Sequence, residues 1–363
     1  MPGDLNGITV TDAVLRLSDS LNPFLSKPLS LEIYPYRIEY FEENDIQELG
    51  AKELGELAQH DAIFLGAVGD PRRKHVKVET GILLSIRQTF DQYINLRPVE
   101  LPAGVPSVLA NKGSQDIDFV ICRENTEGLY AGRGRIVSPG TDYKYAVQEM
   151  VCSDMGVRRL VEYATNLAIE RPGESRLHIV FKNNVLKYAA QIWEPIIDEY
   201  QQRTDVDVQY MHVDAFVAAM ITRPEQFHVV CTENMFGDIC TDLGAVLQGG
   251  MNVAVSGNLN PTREHPSMFE PVHGTAPDLG YDDNGQRDES LVQRIKPEAA
   301  MLSFAMMLEH LGESRGADAL KHAALSNLRH PDYQEMKLDE LTERAGKIIL
   351  TYAESGETFP ASQ

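Results

Sequence analysis

Cysteine is scarce in this chain. The 363 residues hold four (Cys122, Cys152, Cys231 and Cys240), and none sits in a CxxC or histidine-rich spacing. That argues against a zinc site or a disulfide framework and makes a reducing cytoplasm the expected compartment. No apolar run approaches the roughly 18 residues that a membrane-spanning helix needs. The opening MPGDLNGITV lacks the basic and apolar regions of a signal peptide. Positive charge is also in short supply, with 33 Lys and Arg against 54 Asp and Glu and a net charge of −21. Such a field repels polyanions, so nucleic acid and anionic membrane surfaces are excluded as partners. An anionic small molecule would be repelled too, unless a locally basic pocket receives it. Finally, no GxGxxG follows a strand-like segment, so the ordinary dinucleotide fingerprint is missing.

What is present reads as a soluble α/β protein. A hydrophobic share of 43% and a charged share of 24% are ordinary for a globular chain. The length exceeds what one core usually supports, so two domains or one large α/β unit are expected. Short apolar runs at Asp61–Val68, Asp118–Cys122, His178–Phe181 and His228–Cys231 read as buried strands. Between and after them, helical periodicity runs through Gly156–Glu170, Val185–Gln201, Pro297–Leu311 and Leu338–Ala353. This interleaving predicts a partly parallel sheet, with ligands received just past the strand ends. Gly280–Glu289 (GYDDNGQRDE) reads as a flexible acidic loop.

Four groups of residues carry chemistry. In Asn234-Met-Phe-Gly-Asp238-Ile-Cys-Thr-Asp242, two carboxylates four positions apart share one face of a helix and repel one another. The plain alternative is a solvated acidic face. With no Lys or Arg nearby in sequence, a divalent cation is the natural neutraliser, and oxygen ligands favour Mg2+ or Mn2+. Arg87, Arg97 and Arg123 form the second group. Each alone reads as a surface ion pair; jointly they supply the basic patch that the −21 background demands, with forks that match carboxylates. Lys182 follows a buried strand, where desolvation turns a lysine into a base, although most lysines there are simply solvated. Glu270-Pro-Val-His273-Gly-Thr-Ala-Pro-Asp278 is either a rigid turn or a loop whose His273 and Asp278 bond a nucleotide.

With these motifs in view, the sequence resembles the β-decarboxylating hydroxyacid dehydrogenases, the family of isocitrate, 3-isopropylmalate, tartrate and D-malate dehydrogenases. The resemblance rests on LRPVELPAGVPSVLANK, DIDFVICRENTEGLY, FKNNV, HVDA, ENMFGDICTDL, SGNLNPTREHPSMFEPVHGTAPD and LSFAMMLEHLG. It is dense from about Asp61 to Gly312 and looks nearest to the tartrate/D-malate branch. It implies an isopropylmalate dehydrogenase-like fold of two α/β domains sharing a central mixed sheet. Residues 1–92 and 249–363 would form the nucleotide-side domain, and 93–248 the dimerisation and metal/substrate domain.

The resemblance also assigns roles. Arg87, Arg97 and Arg123 match the arginines that hold substrate carboxylates, and Asn184 matches a polar contact near the reacting carbons. Tyr130 matches the tyrosine that returns a proton to the enol, and Lys182 the lysine that takes one from the hydroxyl. Asp214, Asp238 and Asp242 match ligands of Mg2+ or Mn2+. Glu270, His273, Gly274, Ala276 and Asp278 match the cofactor loop. Lys and Asp of one subunit complete the partner's site in this family, which implies a homodimer. Asp278 stands where NADP-dependent isocitrate enzymes carry lysine, so NAD is implied. The implied reaction is oxidation, with loss of CO2, of a small 2-hydroxy dicarboxylic acid. Leu83 and Leu84 in Glu79–Ile86 (ETGILLSI) point to a small or apolar substituent. The sequence departs from the family at PGDLNGIT, where PGDGIGPE is usual, in the acidic segment after Asp278, and at Lys296, where an asparagine meets adenine. The alternative expectation is a catalytically silent regulatory or binding subunit of a related dehydrogenase.

Overall fold

The computed structural model describes residues 1–282 and 286–355. α1 (Asn6–Leu21) leads to α2 (Ile38–Asn44), α3 (Ala51–Leu57), β1 (Ala62–Phe64) and α4 (Ser85–Thr89). β2 (Ile94–Glu100) and β3 (Asp118–Glu124) come next, then a hairpin of β4 (Gly134–Val137) and β5 (Tyr145–Gln148). α5 (Asp154–Glu170), β6 (Arg176–Phe181), α6 (Lys187–Tyr200), β7 (Asp207–His212), α7 (Val213–Thr222), β8 (Val229–Thr232) and α8 (Asn234–Leu247) alternate regularly. β9 (Val255–Leu259), β10 (Ser267–Pro271), α9 (Glu289–Val292), α10 (Glu298–His310), α11 (Ser314–Leu328) and α12 (Leu338–Ser355) follow. The mixed α/β class expected from the sequence is what forms. No helix of the described residues is long and apolar enough to cross a membrane.

The chain divides into two compact units. The first holds Met1–Phe90, Pro102–Pro106 and the described residues from Gly249 onward. Its strands run in the order β1-β10-β9, with β1 parallel and β9 antiparallel to β10. α10 packs on β9 and β10 and is flanked by α1 and α11. Alanines and methionines line its sequence (EAAMLSFAMMLEH), so it buries nearly its whole circumference and brings Glu298 into the interior with it.

The second unit holds Asp91–Leu101 and Ser107–Gln248. Its main strands run β2-β3-β8-β6-β7. β2 and β3 are antiparallel, and every other pair is parallel. All four residues of β8 are buried, the unbroken apolar run expected of a parallel strand covered on both faces. Two helices of this unit, α5 and α8, start from side-chain caps. Ser153 Oγ accepts from Gly156 N at 2.9 Å for α5, and the Glu233 carboxylate accepts from the backbone amides of Met235 and Phe236 for α8.

The segment after Asp278 departs from the flexible loop the composition predicted. Asp282 N donates to Gln286 O at 2.8 Å, Asp288 N donates to Gly280 O at 3.1 Å, and Tyr281 pairs with Arg287 in an antiparallel bridge. The described part is therefore a closed turn; residues 283–285 of that stretch lie outside the described residues.

Candidate active site

In the second unit, strand register brings the chemistry together. Arg123 is the penultimate residue of β3, paired with Asn95 on β2 and with Thr232 at the end of β8. Two residues beyond Thr232 the chain enters α8, so Asn234 and Asp238 stand one helical turn apart beside Arg123. The guanidinium is buried and makes three hydrogen bonds. Nε and Nη2 donate to Asn234 Oδ1 at 3.1 and 2.7 Å, and Nη1 donates to Asp238 Oδ1 at 2.5 Å. Gly237 leaves room for the arginine stem, since a methyl there would come within 2.7 Å of Arg123 Cβ and nearer still to Cγ. The Asn234 amide in turn donates to Glu127 O at 3.0 Å, which fixes its orientation.

Tyr130 completes the cluster. Its hydroxyl donates to Asp238 Oδ2 at 2.8 Å, and the Arg123 guanidinium stacks 5.1 Å from its ring centre. Burial, and then the bond to Asp238, push the phenol above its ordinary range, so it keeps its proton at neutral pH. Asp242 follows one turn further along α8. Desolvation and the neighbouring Asp238 push its carboxyl up, while Arg97 and Arg123 pull it back. On β2, Arg97 is buried and its Nε donates to Asn95 Oδ1 at 2.9 Å.

Lys182 and Asp214 form a separate pair. The parallel register of β6 and β7 sets Phe181 beside His212, so the residues just after each strand end are neighbours. Lys182 Nζ donates to Asp214 Oδ1 at 2.6 Å, and the bond holds that carboxyl below the usual range. Asp214 is 68% exposed, and Asn184 is also exposed. Among the described residues no three His, Cys, Asp or Glu side chains stand close enough together to hold a metal ion. The three aspartates read as one ligand set are therefore split within a single chain into the Asp238/Asp242 pair on α8 and Asp214 with Lys182. The α8 pair still suits a divalent cation, because two crowded carboxylates, one pushed up by the other, are relieved by one.

The first unit carries Arg87 and the loop after β10. Arg87, on α4, is buried, and its Nη2 donates to Glu270 Oε1 at 3.2 Å; Asn258 Nδ2 donates to the same oxygen at 2.8 Å. Glu270 thus serves as the anchor of an arginine in this structure. Beyond it, burial lowers the pKa of His273 and keeps the imidazole neutral. Nδ1 stands 3.1 Å from Gly274 O, while the buried Nε2 has no partner among the described residues. Gly274 faces open space, Ala276 sits in the left-handed region at φ 37°, and Asp278 is exposed. An orphaned buried ring nitrogen beside an open glycine fits a loop that awaits a polar ligand.

Lys296, which stands where the family's asparagine meets adenine, is committed elsewhere. Its ammonium donates to the carbonyls of Tyr333, Gln334 and Met336 at 2.7, 3.2 and 2.7 Å and lies 4.8 Å from the Tyr333 ring centre. It is a clamp on the turn before α12. Asn234, Gly237 and Asn95, which position the arginines, were missed as site residues. Asn234 and Gly237 lie inside the motif that carries Asp238, but only the β3–α8 packing shows what they do.

Known proteins resemble this chain over most of its length. A profile described as isocitrate/isopropylmalate dehydrogenase matches residues 1–348. The 3-isopropylmalate dehydrogenase of Thermobifida fusca is 46% identical over 275 residues, 76% of this chain and 75% of the relative. That of Clavibacter sepedonicus is 43% identical over 335 residues, 90% of each. Among solved structures, the isocitrate dehydrogenase of Methylococcus capsulatus superposes with a TM-score of 0.82 at 25% identity, covering 96% of this chain and 98% of that one. These curated relatives are named for 3-isopropylmalate rather than for the tartrate or D-malate expected from the motifs.

Proposed function

Because the chain belongs to the isocitrate/isopropylmalate dehydrogenase family, we propose that it oxidises a malate bearing an apolar 3-substituent, using NAD and Mg2+ or Mn2+, with loss of CO2. The observation that carries this reading is the Arg123–Asp238–Tyr130 cluster: a buried guanidinium, a carboxylate and a protonated phenol in direct contact. The apolar substituent is supported by Leu83 and Leu84, which close a π-helical turn (Thr80–Leu84) shortly before Arg87, a geometry often found at functional positions. It is supported further by the names of the relatives.

Each residue then has a task. Arg97 and Arg123 bind substrate carboxylates through charge-assisted hydrogen bonds. Lys182 takes the hydroxyl proton, and Tyr130, whose phenol keeps its proton at neutral pH, donates to the enol carbon after CO2 leaves. Asp238 and Asp242, joined by Asp214 of a second copy of the chain, would hold the divalent cation; the exposed Lys182–Asp214 pair supports that homodimeric arrangement. His273, Gly274 and Asp278 would hold NAD, with Asp278 repelling the 2′-phosphate of NADP. When bound, the nicotinamide supplies the hydride acceptor and the cation an electrophile. The test is NADH formation with Mn2+ against 3-isopropylmalate, D-malate, tartrate and isocitrate. The expected result is highest turnover with 3-isopropylmalate. Turnover on D-malate or tartrate instead overturns the substrate, and none on any acid points to the silent-subunit alternative.

A further inference from the structure

The loop read as the nucleotide site does not hold its shape alone. Asn6, the first residue of α1, is 2% exposed. Its Nδ2 donates to Ala276 O at 2.6 Å across 270 positions of sequence. Ala276 is the residue held in the left-handed region, a conformation that an alanine keeps only when its surroundings impose it. At the other end of the same segment, Gly280 lies against the Asn6 amide so closely that any side chain there would collide with Oδ1. One side chain therefore bonds one end of Ala276–Gly280, the stretch that carries Asp278, and packs against the other.

A second set of contacts follows from the acidic segment. Arg287 Nη1 donates to Thr9 Oγ1 at 3.2 Å, on the same face of α1 as Asn6 and three positions on. Tyr281 receives the Arg72 guanidinium 5.3 Å from its ring centre, and Asp288 N donates back to Gly280 O. All of these residues belong to the first unit.

We propose that Asn6 is a positioning residue of the cofactor loop: it sets Ala276–Gly280 on the start of α1, while Tyr281 and Arg287 make further contacts to Arg72 and Thr9. This rests on the reading of His273–Asp278 as the nucleotide site. An amide suits the task because Nδ2 is a donor. A carboxylate of the same shape has none and would face the Ala276 carbonyl oxygen with a negative charge.

Asn6→Asp separates the hydrogen bond from packing. It preserves volume but sets a buried carboxylate against the Ala276 carbonyl oxygen, so the melting temperature is expected to fall, and exchange and affinity are compared well below the transition. Amide exchange of residues 276–282, measured without nucleotide, should speed up. Calorimetric affinity for NAD should fall about fivefold to tenfold, the loss of one hydrogen bond, with kcat at saturating NAD unchanged. Asn6→Ala should reproduce both effects. Unchanged exchange in both variants overturns the clasp. Faster exchange with unchanged NAD affinity overturns its role toward the cofactor. If the unmodified protein binds no NAD, the nucleotide reading itself fails, and the exchange data still judge the clasp separately.

Discussion

Gly237→Ala is expected to destabilise the protein, although the same change at an exposed helical glycine is usually favourable. Alanine gains about 1 kcal/mol over glycine within a helix. At position 237, however, the new methyl meets Arg123 Cβ at 2.7 Å and Cδ at 3.0 Å, against an optimum of about 3.5–4.0 Å between carbons. The stem must move by roughly an ångström, and overpacking of that kind costs about 1–3 kcal/mol. The guanidinium at its end is buried and makes three bonds to Asn234 and Asp238, so shifting it loses at least one charged hydrogen bond, worth about 1.5–3 kcal/mol. The net expectation is a loss of about 2–4 kcal/mol. Urea unfolding measures it directly. Gly55→Ala, on α3 with nothing within 4 Å of the added methyl, serves as the control and should gain up to about 1 kcal/mol. Half-saturation for the hydroxy acid should rise in the Gly237 variant only. A Gly237→Ala protein with an unfolding midpoint equal to or above the parent's, and unchanged half-saturation, would refute this account of Arg123.

Glu298, buried in α10 against Asn327 and Tyr333, has its pKa raised from 4.5 to about 6 by desolvation. The folded state therefore holds a proton that the unfolded state has released, and stability should fall by about 2 kcal/mol as pH rises from about 4.5 to about 6; Glu298→Gln should flatten that slope in denaturant titrations. Asp242→Asn is expected to abolish both turnover and the rise in melting temperature caused by Mn2+, and EDTA should reproduce the loss in the parent. A parent indifferent to EDTA would remove the cation from the site. Asp278→Asn should narrow the preference for NAD over NADP by removing a charge that opposes the 2′-phosphate, which the ratio of the two Kd values reads out.

Much of the fold was legible because its signals are local. DFVIC and HVVC are apolar runs long enough for buried strands; the first lies within β3, and all of the second but His228 lies within β8. Asp238 and Asp242 were set on one helix face by spacing alone, and α8 carries them so. What escaped depended on partners far away in sequence. Lys296 stood out only as a departure from the family, because its carbonyl partners lie 37 to 40 positions later, in a turn with no composition signal of its own. Asn6 sits in a stretch that looked like a damaged loop motif, and its role appears only with Ala276 beside it. The acidic segment read as flexible because composition reports charge, not the cross-bonds that close the turn or Arg287 reaching α1.

The net charge of −21 frames the last step. That field favours a cation, but a buried arginine left bare would still be costly through lost hydration, and Arg123 is not bare: Asp238 neutralises it and also accepts from Tyr130. One carboxylate thus restrains both the group read as the substrate anchor and the group read as the proton donor. Its two oxygens cannot serve a guanidinium, a phenol and a divalent cation at full strength together. A cation held by Asp238 and Asp242 would compete with Arg123 and Tyr130 for the Asp238 oxygens and so leave the guanidinium freer to take a substrate carboxylate. Asp238 sits at the centre of that competition because strand register places Arg123 beside the first turn of α8.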